Sequence, residues 1–181
     1  MKKVKFFAWC EMLSFLALTV TFVYFGYRGY FKGEAILLNE LFPRLMLIFV
    51  ALIVVFGICN MVSAVGVGSK IAGDAPARSL WHLVVLMKLA FIPMFGVNFL
   101  FGFVFGVFGM FFIVTLPYML ALMAAAWFAM MSSSGYCIRL ILRARQQGSL
   151  GAGAAVGHCV LQLIFVLDVV DLLFLRKAMK Q

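Results

Sequence analysis

Charged and amide side chains occur inside the long apolar runs of this sequence. They include Glu11, Lys88, Asn98, Asp168 and Asp171. An ionised side chain at the centre of a bilayer costs about 2.5–3.5 kcal/mol on insertion scales, so a membrane segment keeps one for pairing, transport or catalysis. These residues are therefore the first candidates for chemistry.

The first candidate group lies on a single apolar run, where Pro93 and Asn98 follow Lys88. Pro93 cannot donate to the carbonyl of Leu89, which predicts a helix kink at that turn. A kink between a cation and an amide is a pattern expected of a substrate or ion path. The alternative is a bent packing helix whose Asn98 bonds a neighbour. Pro117 predicts a second kink, in the following helix.

Glu11 and Lys88 are expected at similar depths. With the N-terminus inside, each lies roughly 8–12 Å from the inner end of its helix at 1.5 Å per residue. The sequence therefore predicts a buried Glu11–Lys88 ion pair. The alternative is that Lys88 snorkels to the headgroups and Glu11 sits at the water boundary.

Asp168 and Asp171 form a DxxD spacing that places both carboxylates near one side of a helix. Such a pair is one element of metal-dependent lipid headgroup transferases, which need more carboxylates and a glycine-bearing frame that this sequence lacks. If the last segment spans the membrane, the expected partners of the two aspartates are Arg28, Lys32 or Arg44. If it lies at the interface, they face water.

Three further polar features lie on apolar segments. His158 and Gln162, one turn apart, are expected to share a hydrogen bond to another helix. Ser132–Gly135 is expected to bond a neighbour's backbone. The four cysteines lack CxxC spacing and are interpreted as small apolar filler. We find no motif for catalysis, so we expect no catalytic residues, no cofactor and no bound metal.

The elements that carry these residues are helices. Hydrophobic residues make up 66% of the chain and charged residues 12%, too little charge to cover a soluble core. The predicted fold is an all-α polytopic transmembrane bundle of four to five helices in a single domain. The helices are expected at 6–27, 43–67, 80–105, 110–136 and 154–175. The break near Gly106–Gly109 is required because one helix from Leu80 to Leu142 would be about 90 Å long.

Cations flank the apolar runs rather than gathering on one segment, so anionic lipid headgroups are the expected partners and nucleic acid is not. The positive-inside rule predicts a multi-pass plasma-membrane protein with a cytoplasmic N-terminus. The segment 154–175 either spans, which puts the terminal cations outside, or stays at the inner face. Its length and apolarity favour a fifth spanning helix.

Several runs resemble a group of small uncharacterised integral membrane proteins of gut and other Gram-positive bacteria. The runs are Met87–Phe95 with Asn98-Phe99, Ser132–Tyr136, and His158 with Gln162–Val169. The resemblance covers roughly the second half of the chain. It implies a bacterial plasma-membrane location and no particular activity.

Three functions remain open at this point. The favoured one is a non-enzymatic membrane protein that works through helix contacts, as an accessory, immunity-type or oligomeric component with a membrane protein partner or further copies of itself. The second is a small transporter or channel using Lys88, Pro93 and Asn98. The third is a lipid-modifying enzyme using Asp168 and Asp171.

Overall fold

The computed structural model describes residues 2–32, 35–67, 74–109, 116–164 and 167–178. Within these ranges the secondary structure consists of helices, with no strand: α1 (Lys2–Lys32), α2 (Ala35–Val67), α3 (Asp74–Gly109), α4 (Leu116–Gln146), α5 (Ala152–Leu161) and α6 (Leu167–Ala178). Four segments are long and apolar enough to cross a membrane: Lys2–Phe25, Leu41–Val67, Ala77–Val97 and Leu120–Gln146. The predicted all-α bundle with membrane-spanning helices is confirmed.

The four long helices pack as a bundle with alternating directions. The rings of Phe22 on α1 and Phe42 on α2 are 5.0 Å apart between centroids, which makes these two helices antiparallel neighbours. Phe15 on α1 meets Phe91 on α3 edge to face, at 5.5 Å. Helix α4 packs against α2 and α3, so α1 and α4 lie on a diagonal of the bundle.

Apolar side chains cover the outside of the bundle as well as its core. Leu47 and Val62 on α2 are 72% and 65% exposed. Backbone groups are bonded within each helix, as a hydrocarbon solvent requires. Hydroxyls on α1 follow the same rule, because Ser14 and Thr19 donate to the carbonyls of Cys10 and Phe15. This outer surface suits contact with lipid.

The helix boundaries differ from the predicted ones around the α3–α4 connection. Helix α3 continues through Pro93 to Gly109, and α4 begins at Leu116; residues 110–115 lie outside the described part. The predicted kink at Pro117 involves the turn before this residue, so it lies outside the described residues and stays a prediction.

The prediction of one continuous helix over 154–175 is also wrong. This stretch is divided between α5 and α6, which we call the α5–α6 hairpin (152–178). Gly148, with a φ of 75°, reverses the chain after α4, and the Ser149 N–H donates to the Ala144 carbonyl at 3.0 Å. Helix α6 brings Arg176 back beside Arg78, at the end of the bundle where α3 begins. The hairpin therefore enters and leaves at one end.

The reason for the break is the placement of the polar residues. At 3.6 residues per turn, one continuous helix would place His158 and Gln162 about 130° around the helix from Asp168 and Asp171. One of the two pairs would face lipid. Dividing the segment lets α5 and α6 turn both polar pairs toward each other and the bundle.

Candidate functional site

Glu11 is the centre of a polar cluster between three spanning helices. Its side chain is fully buried, and its Oε2 accepts hydrogen bonds from Asn60 Nδ2 on α2 and Ser132 Oγ on α4, both at 2.7 Å. The Tyr136 hydroxyl, one turn further along α4, donates to Asn60 Oδ1 at 2.8 Å. We call these four residues the Glu11 cluster. They tie α1, α2 and α4 together inside the membrane.

The other oxygen of Glu11 has a different environment. Oε1 is buried and has no hydrogen-bond partner among the described residues. Gly57 on α2 lies against it, and a Cβ at this position would stand 3.0 Å from Oε1 and 3.4 Å from the Phe128 Cβ. The absence of a side chain at Gly57 therefore makes room for the carboxylate between α2 and α4.

Substituting Gly57 by alanine is expected to lower the free energy of unfolding by about 1 kcal/mol. The added methyl group presses on a carboxylate that two hydrogen bonds hold in place, which outweighs the better helix propensity of alanine. Thermal unfolding of the detergent-purified protein measures the change. Gly96→Ala on α3 is the matched control, because a Cβ there meets nothing within 4 Å. Equal stability changes in the two variants would contradict this role for Gly57.

Lys88 forms the second polar group, between α3 and the hairpin. Its Nζ lies 2.5 Å from Asp168 Oδ2 on α6 and donates to Ser134 Oγ on α4 at 3.4 Å. The two charged side chains are only 1% and 6% exposed. A buried ion pair thus joins a spanning helix to the α5–α6 hairpin.

The predicted Glu11–Lys88 ion pair is wrong, and so is its alternative. Glu11 faces α2 and α4, whereas Lys88 faces α4 and α6. Both side chains are buried, so neither reaches the headgroups or water. Depth along the helices was estimated from the sequence, but the direction in which each side chain points depends on the packing order of the helices.

Asp171 holds the two arms of the hairpin together. Its Oδ1 lies 2.5 Å from His158 Nδ1, and its Oδ2 accepts a hydrogen bond from Gln162 Nε2 at 2.6 Å. Gln162 Nε2 also donates to the Asp168 carbonyl at 3.3 Å. The expected hydrogen bonding of His158 and Gln162 to one further helix is therefore found, and that helix is α6.

The expected cationic partners of the two aspartates were wrong. Asp168 pairs with Lys88 and Asp171 with His158, instead of with Arg28, Lys32 or Arg44. Arg28 and Arg44 lie near the connection between α1 and α2, at the opposite end of the bundle from Arg176, and the side chain of Lys32 lies outside the described part.

The predicted group of Lys88, Pro93 and Asn98 is described only in part, and its assembly around one polar centre stays a prediction. Pro93 is exposed on the surface of α3, and the side chain of Asn98 lies outside the described part. Two members of the Glu11 cluster, Asn60 and Tyr136, were missed by the sequence interpretation. Asn60 carried a usable signal, since it is an amide within an otherwise apolar run.

The serines of α4 were predicted to bond the backbone of a neighbouring helix. Two of them instead bond side chains of neighbouring helices. Ser132 donates to Glu11, and Ser134 accepts from Lys88. Ser132 Oγ also lies 2.9 Å from the Ala129 carbonyl. Helix α4 thus supplies one hydroxyl to each of the two buried charged groups, which makes it the shared wall between them.

The arrangement offers ion pairing and proton binding inside a membrane. Across the described residues, no group of three or more His, Cys, Asp or Glu side chains converges as metal ligands would. What the bundle brings together is three buried carboxylates, one ammonium group and one imidazole.

These features define an integral membrane protein with four long apolar helices. A buried ion pair attaches the α5–α6 hairpin to them. Residues 3–181 match the model of a family described as a family of unknown function, DUF6652, and the chain belongs to that family. Neither the curated proteins nor the solved structures include a match.

Proposed function

We propose that this protein is a small transporter or channel in which the α5–α6 hairpin is the moving element and protons are the carried or coupled ion. The observation that supports the proposal most is the buried Lys88–Asp168 ion pair, with Nζ and Oδ2 2.5 Å apart. It connects a spanning helix to a hairpin that enters only part of the membrane, and such a contact is a candidate gate.

The shape of the hairpin supports a transport role. Discontinuous helices form the substrate and ion sites of many transporters. Backbone that leaves helical geometry at membrane depth is tolerated where protein buries it or where it lines a cavity. Helix α6 rises about 12 Å from Arg176 to Asp168 at 1.5 Å per residue, so the interruption between α5 and α6 lies beside Lys88.

The balance of buried charges supports the proton as the ion. Glu11, Asp168 and Asp171 supply three carboxylates, and Lys88 supplies one ammonium group. Two negative charges are left over when the His158 ring is neutral, and a low-dielectric interior penalises them. Uptake of one proton at the His158–Asp171 pair and one at Glu11 would cancel both charges. The free Oε1 of Glu11 offers a place for the second proton.

The same arrangement supports a plasma-membrane location with the N-terminus on the cytoplasmic side. Lys2, Arg78, Arg143 and Arg176 all lie at one end of the bundle, because the hairpin returns to the end where it starts. The positive-inside rule assigns such an end to the cytoplasm. The resemblance noted above supports a bacterial membrane.

A proton-flux assay tests the proposal. Purified protein is placed in liposomes that contain a pH-sensitive dye, and a potassium gradient with valinomycin drives proton entry. The wild type is expected to acidify the lumen. Glu11→Gln is expected to abolish this flux, because the amide keeps the hydrogen-bond acceptor but cannot carry a proton. Lys88→Met is expected to alter it by releasing the hairpin.

Glu40→Gln is the matched control for the flux assay. It makes the same chemical change on α2, ahead of the apolar span that begins at Leu41, and should leave the flux unchanged. Flux equal to that of protein-free liposomes, or full flux in Glu11→Gln, would overturn the proposal.

A protein that works through helix contacts is the second candidate. Helix α2 supports it, because its spanning segment is the least buried of the four and could pack against a second copy or a partner helix. A stable complex in mild detergent would support this candidate, and a single chain per nanodisc would count against it. We do not propose a lipid-modifying enzyme, since Asp168 and Asp171 are already bonded to Lys88, His158 and Gln162.

A further inference from the structure

The hydroxyl group of Ser132 has two acceptors within reach but only one proton to donate. Its Oγ lies 2.7 Å from Glu11 Oε2 and 2.9 Å from the Ala129 carbonyl oxygen. A serine hydroxyl carries one donor and two acceptor lone pairs, and its hydrogen rotates toward the partner that suits it. The side chain is fully buried on α4, so bulk water does not compete for this proton. Ser132 therefore has two alternative hydrogen-bonding states.

The first state suits an ionised Glu11. A carboxylate only accepts hydrogen bonds, and Oε2 receives one from Ser132 and one from Asn60 Nδ2, both at 2.7 Å. Asn60 is held in this orientation because the Tyr136 hydroxyl donates to its Oδ1 at 2.8 Å. Lys88, the buried cation of α3, is paired with the hairpin and does not face this carboxylate. Ser132 is thus one of two donors that stabilise the negative charge.

The second state suits a protonated Glu11. A carboxylic acid has one O–H donor, and a buried donor without an acceptor is costly. Oε1 has no partner among the described residues, so a proton bound there needs an acceptor elsewhere. Half a turn about the broad, two-fold terminal torsion exchanges the two oxygens, and the missing side chain at Gly57 leaves room beside Oε1. The O–H then points at Ser132 Oγ, which accepts it and donates its own proton to the Ala129 carbonyl.

We propose that Ser132 is the residue that allows Glu11 to bind and release a proton inside the membrane. The hydroxyl turns from Glu11 to the Ala129 carbonyl as the proton arrives, and it turns back as the proton leaves. One O–H bond forms at Glu11 on uptake and breaks on release, with the proton taken from water and returned to it. The O–H bond of Ser132 stays intact throughout. This inference rests on the transport proposal, because it names the residue that keeps both states of Glu11 hydrogen-bonded.

Two measurements on Ser132→Ala test this role. Infrared difference spectra of the purified protein between acid and alkaline pH report the C=O stretch of the protonated Glu11 carboxyl, which Glu11→Gln identifies because it lacks this band. The frequency of the band depends on the hydrogen bonds of the carboxyl group, so we expect it to shift in Ser132→Ala. We expect the liposome proton flux to fall about tenfold, because the hydrogen bond lost from the ionised state is stronger than the one lost from the protonated state.

Ser133→Ala is the matched control for both measurements. Ser133 is the next residue of α4, is similarly buried, and donates to the Met130 carbonyl at 2.9 Å as Ser132 does to Ala129. Among the hydrogen bonds of the described residues, none joins Ser133 to Glu11. It should therefore keep the band and the flux of the wild type. The melting temperature of each variant reports whether it is folded.

The outcomes separate this role from the transport proposal. An unchanged band with unchanged flux in Ser132→Ala, or equal changes in Ser133→Ala, would overturn the role of Ser132 and leave the wild-type flux as support for transport. If the wild type itself carried no flux, the transport proposal would fail, and the band would still decide whether Ser132 bonds the protonated carboxyl. A wild type without a Glu11 band at any pH would overturn both.

Discussion

Replacing Lys88 by methionine is expected to lower the free energy of unfolding by about 3–5 kcal/mol, the range measured when one partner of a buried ion pair is removed. The variant leaves Asp168, itself only 4% exposed, without its cation. The neighbouring Ser134 hydroxyl cannot replace a full positive charge. Chemical unfolding of the detergent-solubilised protein measures the loss.

The double variant Lys88→Met with Asp168→Leu is the decisive control for this prediction. It removes both charges at once, and such replacements of buried pairs are often close to neutral. It should therefore recover most of the lost stability, giving a large coupling energy between the two sites. Lys5→Met, on the exposed surface of α1, should have no effect. Additive losses in the double variant would show that the ion pair does not form.

Replacing Glu11 by leucine is expected to cost about 2–4 kcal/mol, since two buried donors lose their acceptor at about 1–3 kcal/mol each. Asn60 Nδ2 would keep no acceptor that the structure describes, whereas the Ser132 hydroxyl can turn to the Ala129 carbonyl 2.9 Å away. The loss should therefore fall toward the lower part of that range. Unfolding in detergent again provides the measurement.

Glu11→Gln separates hydrogen bonding from charge at the same position. The amide oxygen can accept from Asn60 and Ser132 as the carboxylate does, so stability should stay within about 1 kcal/mol of the wild type. Glu11→Gln should thus be a folded protein that lacks proton flux. If it were as unstable as Glu11→Leu, the role of Glu11 as an acceptor for these two donors would be wrong.

The class of protein was predictable from the sequence because it depends on overall composition and on the length of the apolar runs. A chain that is 66% hydrophobic cannot cover its surface with charge, and runs of about 20 apolar residues match the thickness of a bilayer. Helix existence and most of the intramembrane polar residues, though not Asn60 and Tyr136, followed from the same local information. Most helix bounds did not: α1 and α3 extend beyond both predicted ends, α2 begins earlier but ends at the predicted Val67, and α4 continues beyond residue 136.

Pairing between helices was not predictable in the same way. The depths of Glu11 and Lys88 were estimated from their positions along the chain, but depth does not say which helix each side chain faces. Glu11 turned out to bond Asn60 and Ser132, and Lys88 to bond Asp168. These hydrogen-bond and ion-pair partners depend on how each helix is rotated and on the order in which the helices pack. A local sequence pattern gives neither.

The break between α5 and α6 could be inferred from the positions of the polar residues, although mean hydropathy does not indicate it. Average apolarity over 154–175 favours a spanning helix, as the prediction assumed. The angular positions of His158 and Gln162 against those of Asp168 and Asp171 argue otherwise, because one straight helix would expose one pair to lipid. Comparing the angular positions of polar residues with the mean hydropathy would have favoured the break.

The α5–α6 hairpin returns to the end of the bundle where it starts, and cysteine labelling in intact cells tests this topology. In a cysteine-free background, Gly151→Cys, Arg176→Cys and Tyr27→Cys are each exposed to a membrane-impermeant maleimide; all three positions are exposed in the structure. We expect Gly151→Cys and Arg176→Cys to react alike, and Tyr27→Cys, toward the other end of α1, to react oppositely. Labelling of Gly151→Cys and Arg176→Cys from opposite sides of the membrane would contradict the hairpin and the Lys88–Asp168 gate with it.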